Sequence, residues 1–139
     1  MTQQDNTAIV ERFIQGLFTR GDLDAIALLA DDYVDHSPFP GAAPDRDSMR
    51  TAATVIRAAF PDWASHVHRC VAEGDLVAEH FTASGTHSAT FMGIEPTGCK
   101  AALHGINIFR LHDGLIAERW GVLDFPGLLE QLRGAGQEA

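Results

Sequence analysis

Basic runs are missing from this chain. Arg and Lys are scattered singly and the formal net charge is −9, so nucleic acid or an anionic membrane surface would meet no complementary field. Cysteine is scarce. The two present, Cys70 and Cys99, lack metal-ligand spacing and cannot build a disulfide framework, and a reducing cytoplasm suits them. No apolar run is long enough to span a bilayer. The first residues, Met1-Thr2-Gln3-Gln4-Asp5, carry no apolar core of the kind a secretory signal needs. Repeats, low-complexity tracts and linkers are missing too, so residues 1–139 read as a single domain. With 45% hydrophobic and 21% charged residues, the chain has the balance of an ordinary globular protein with a sizeable core.

What is there begins with helical spacing. Ile9, Val10, Phe13, Leu17 and Phe18 share one face of an amphipathic helix ended by Gly21. Asp22 or Asp24 can cap a second, short helix through Leu28 and Leu29. Asp35 to Gly41 reads as a loop by its Pro and Gly content. A third helix is expected from about Asp45 to Phe60, and Pro61 stops it. The period then changes to two. A strand around Val67 and Val71, a turn at Glu73-Gly74-Asp75 and a strand from Leu76 to Gly85 follow, with a loop centred on 92–98.

The last third reads as two long strands folded back at His112-Asp113-Gly114. A closing helix follows, with Asp124 near its cap and Pro126 in its first turn. Simple pairing around the turn sets Leu111 opposite Ile116, Phe109 opposite Glu118 and Asn107 opposite Trp120, all on one mostly apolar face. A carboxylate enclosed among apolar groups needs a partner or a job. The order of three helices, about four long strands and one helix indicates an α+β fold, with a curved antiparallel sheet closed by helices into a cone around one apolar pocket.

Several pieces then combine: Tyr33-Val34-Asp35-His36, Phe60-Pro61-Asp62-Trp63, Gly85-Thr86-His87, Phe91 to Gly98, Gly105 to Arg110, Gly114 to Asp124, and Leu128 to Leu132. In these, over nearly its whole length, the chain resembles the SnoaL-like polyketide cyclases, often called ester cyclases, of the nuclear-transport-factor-two-like superfamily. The resemblance implies a cystatin-like α+β barrel, a homodimer made by pairing sheets, and no metal or organic cofactor. It implies an intramolecular aldol closure of a polyketide-like, apolar carbonyl compound, in which a pocket carboxylate takes a proton from the carbon beside a carbonyl. It also implies an aspartate near Trp120-Gly121. This chain has Gly121 there, which leaves Glu118 or Asp124 to substitute.

The expected catalytic residues are thus Glu118 as general base or acid, Asn107 as donor to an enolate, and Asp124 and His36 beside them. Asp124 is better suited to capping the last helix, from where it can still point at the pocket mouth. Trp120, Trp63, Phe60, Phe91, Met92 and Tyr33 are expected to shape the substrate site. His66-x-His68 lacks a third ligand, so no metal site is expected. His104, Ile106, Ile108 and Arg110 form an outer stripe suited to a dimer contact. The other readings left open are a non-catalytic small-molecule binding protein and an epoxide hydrolase-like enzyme, the superfamily hosting many functions on one fold.

Overall fold

The computed structural model describes residues 2–39 and 41–137. Helix α1 covers Gln3–Ile14, starts on a Thr2 capping box, and buries Ile9, Val10 and Phe13. It continues as a π turn over Gln15–Thr19, and Gly21 closes it at φ +68°. Asp22 caps a 3-10 turn over Leu23–Leu28 by accepting from the Asp24 amide. Helix α2 covers Arg46–Ala59, close to the expected span, and is capped by Asp45. Strands β2 (Ala64–Glu73), β3 (Leu76–Thr86), β4 (Lys100–His112) and β5 (Leu115–Leu123) lead to helix α3 (Phe125–Gln137).

The fold is α+β, but the sheet is not closed and has five strands: with Leu29–Asp35 as β1, their order is β1-β5-β4-β3-β2. The extra strand, β1 (Leu29–Asp35), occupies the segment expected to end the second helix and enter a loop. It lies parallel to β5, which makes the sheet mixed rather than antiparallel. Tertiary pairing overrides local propensity here: Leu29, Tyr33 and Asp35 are buried, while Asp31 and Asp32 stay exposed.

The decisive local feature lies in the β4–β5 hairpin. Asp113 (φ 49°) and Gly114 (φ 81°) form the tight turn, and Leu111 pairs with Ile116 as expected. The next pair, however, is Arg110 with Glu118, because Ala117 is an extra residue in β5. A bulge of one residue sends every later side chain to the opposite face. Phe109 therefore pairs with Arg119 and Asn107 with Gly121, while Glu118 and Trp120 face outward with Arg110 and Ile108. Two apolar clusters pack on the inner face. One gathers α1, β1 and the turn ends of β3 to β5. The other gathers the end of α2, Trp63, Phe91 and α3.

Candidate active site

A cavity of about 250 Å³ opens between these clusters. Its apolar wall comes from α1 and α2 (Ile14, Met49, Ala52, Ile56), from the sheet (Phe81, Ala83, Leu103, Leu123) and from Phe18, Phe39, Trp63 and Phe125. Its polar end is formed by Asp35, Ser37, Glu79, Asn107 and Arg119, with Gly121 among them.

These polar groups form one chain of hydrogen bonds. In β3 the inner positions are Val77, Glu79, Phe81 and Ala83, all buried. Glu79 is directly opposite Asn107 in β4, and Asn107 Nδ2 donates to Glu79 Oε1 at 3.0 Å. Asn107 Oδ1 accepts from Arg119 Nε at 2.9 Å. That pairing fixes the amide orientation, since a guanidinium only donates. Arg119 Nη1 donates to both oxygens of Asp35, at 2.9 and 3.1 Å, and to the Ser37 carbonyl at 2.8 Å. The Tyr33 hydroxyl donates to Asp35 Oδ2 at 3.0 Å, and burial followed by the neighbouring Asp35 charge holds that phenol protonated.

Arg119 and Asp35 are a buried ion pair whose charges cancel. Glu79 is the carboxylate without a counter-ion of its own. It has no exposed surface, and its Oε2 has no hydrogen-bond partner among the described residues. Burial is the main cause that pushes its pKa up to about 6, against the lowering effects of the Asn107 hydrogen bond and the Arg119 charge. A carboxylate so placed is poised to exchange a proton near neutrality.

Sequence reasoning puts Asn107 and Trp63 on the cavity wall, and both are there. The inward position expected of Glu118 is corrected by the bulge. Glu118 stands half-buried on the outer face, 3.1 Å from His36 Nε2 and 3.0 Å from Arg110 Nε. Trp120 goes with it, stacked on the His36 ring at 4.8 Å and 9°. His36, Glu118 and Trp120 are thus one outer cluster, away from the cavity lining. Asp124 accepts from the Gly127 amide at 2.9 Å and caps α3. Phe60 and Phe91 are buried in the second apolar cluster, their rings 5.2 Å apart. Met92 is exposed, and Tyr33 touches the site through Asp35. Asn107 does not face Trp120, and its partners are Glu79 and Arg119.

Sequence reasoning does not single out Glu79, Asp35 or Arg119 as site residues. The signal for Glu79 is the strict alternation of Val77, Glu79, Phe81 and Ala83, which places an acid on an otherwise apolar face. Among the described residues, no group of three or more His, Cys, Asp or Glu could hold a metal, and no helix is long and apolar enough to cross a membrane.

Three solved structures share this architecture. AclR of Streptomyces galilaeus, a candidate hydroxylase, is 28% identical, with 96% of this chain and 98% of that one covered at a TM-score of 0.85. TsrD of Streptomyces laurentii is 26% identical, with 95% and 97% covered at 0.84. IdmH of Streptomyces antibioticus, a candidate polyketide cyclase, is 34% identical, with 92% and 98% covered at 0.80. A search of the curated proteins gave no match. The sequence pattern of the SnoaL-like polyketide cyclases matches residues 8–132. With the α+β sheet, the helix-covered pocket and that match in agreement, the chain belongs to the SnoaL-like polyketide cyclase family.

Proposed function

We propose that this protein is a cofactor-independent acid–base enzyme. It takes a proton from the carbon beside a carbonyl in an apolar, polyketide-like compound and so prepares a ring closure or isomerisation. Glu79 is the base. Asn107, held by Arg119, orients it, and the Asp35–Arg119 pair keeps a neutral, rigid support behind both. The observation that carries this reading is the buried, partnerless Oε2 of Glu79 at the polar end of an apolar cavity. The C–H proton goes to Oε2, and the electron pair stays on the ligand as an enolate.

The test is enolisation of β-tetralone, an apolar ketone with acidic α-hydrogens, followed by proton NMR in deuterium oxide. The wild-type protein is expected to speed deuterium uptake, and Glu79→Gln to lower that acceleration by about a hundredfold or more, the range for a positioned acid or base. Equal exchange in both proteins would leave a binding protein as the better reading.

One observation favours a second reading. Water activation, as in an epoxide hydrolase-like reaction, needs several polar groups around one water, and the cavity carries two carboxylates, an amide and a guanidinium. Glu79 would then deprotonate water, and oxygen-18 from labelled water would enter the product. The proposal extends to a cytoplasmic homodimer. Ile106, Ile108 and Val122 are exposed, and the pairs Ile106–Val122 and Ile108–Trp120 join them into one outer apolar patch.

A further inference from the structure

Gly121 stands where a side chain would change the cavity. A Cβ built on it would fall 2.4 Å from Arg119 Nη2 and 2.7 Å from Asn107 Oδ1, far inside van der Waals contact. The other two nitrogens of Arg119 are committed: Nε to Asn107, Nη1 to Asp35 and Ser37. Nη2 donates no hydrogen bond among the described residues, and it is not one of the fully enclosed partnerless atoms. Arg119 and Gly121 both line the cavity, so the bare Cα of Gly121 leaves Nη2 uncovered at the cavity wall.

We infer that Gly121 makes Arg119 an oxyanion donor, and that the substrates are compounds whose reacting oxygen becomes negatively charged, as an enolate or phenolate oxygen does. The inference rests on the acid–base reading of the same pocket. The ligand's proton passes to the Glu79 carboxylate, and the charge left on its oxygen is held by Nη2, so one proton moves and the pocket's net charge is unchanged. The guanidinium is already fixed by four hydrogen bonds, so it does not reorganise as charge develops. Gly121 is the specificity-determining position, because any side chain there covers the donor.

The probe is 4-nitrophenol, whose ionised and neutral forms have separate absorption bands, with nitrobenzene as a neutral partner of similar shape. In the wild-type protein, bound nitrophenol is expected to absorb as the anion at a pH where the free compound is mostly neutral. Gly121→Ala is expected to weaken binding of the anion roughly ten- to a hundredfold, as for loss of a hydrogen bond to a charged group, and to weaken nitrobenzene binding much less. Arg119→Lys keeps the charge but has no Nη2, and the same pattern is expected. Bound nitrophenol absorbing as the neutral phenol in the wild-type protein overturns the inference without any variant. So does a Gly121→Ala protein that binds the anion as well as the wild type. Glu79→Gln separates the two proposals. If the anion still binds well there while β-tetralone exchange is indifferent to Glu79, the base is misassigned and the oxyanion donor stands.

Discussion

Replacing Glu79 with Gln should make the protein more stable at alkaline pH, because the wild-type side chain is a charge held in a dry place. The folded state holds its pKa at about 6, against 4.5 for an ordinary glutamate. Between those values the folded chain binds more protons than the unfolded chain. Wild-type stability therefore falls as pH rises through that window, and the loss is complete above it. A rise of about 1.5 pH units corresponds to about 2 kcal/mol. The Glu79→Gln side chain would keep the acceptor for Asn107 Nδ2 and put an uncharged amide where Oε2 now lies. The quantity to measure is the difference in unfolding free energy between variant and wild type, by urea titration at about pH 4 and pH 8. It should grow by about 2 kcal/mol in favour of Glu79→Gln at the higher pH, equivalent to about 7 °C in Tm for a chain of this length. Comparing the two pH values cancels any constant packing effect of the substitution. A difference independent of pH, or one that grows in favour of the wild type, would refute the claim that Glu79 is desolvated.

Removing the Arg119 side chain with Arg119→Ala strands Asp35 and Asn107, and the loss of one partner of a buried ion pair should cost about 3–5 kcal/mol, read by urea unfolding at neutral pH. Glu118→Gln changes only a half-exposed contact with His36 and Arg110; its stability cost should stay under about 1 kcal/mol, and β-tetralone exchange should be close to wild type. A collapse of exchange in that variant would return Glu118 to the chemistry. Val122→Asp puts a charge in the outer apolar patch, and light scattering should show the wild type as a dimer and the variant as a monomer; a monomeric wild type contradicts the sheet-pairing proposal.

The helices and the antiparallel strands were legible because their signals are local. Asp45 announces the start of α2 and Pro61 bars its continuation, and the period-two runs of β3 and β4 name their own faces. Strand β1 was not legible, since Leu28-Leu29-Ala30 has helical composition and the pairing that extends it comes from β5, far along the chain. The bulge at Ala117 was also hidden. Nothing in Ile116-Ala117-Glu118 distinguishes a regular strand from one with an extra residue, yet that residue exchanges Glu118 and Trp120 for Arg119 and Gly121 at the pocket. The presence of a buried carboxylate beside Asn107 could be read from the sequence, but which carboxylate depended on register. Glu79 was available through the alternation of its own strand, which the bulge does not disturb.

The most direct measurement is a carbon-13 NMR titration of the Glu79 carboxyl group, assigned by its loss in Glu79→Gln. A midpoint near 6 is expected in the free protein, with a resonance that moves when β-tetralone enters the cavity. A midpoint at or below that of a solvated glutamate, with no response to the ketone, would contradict the role given to Glu79.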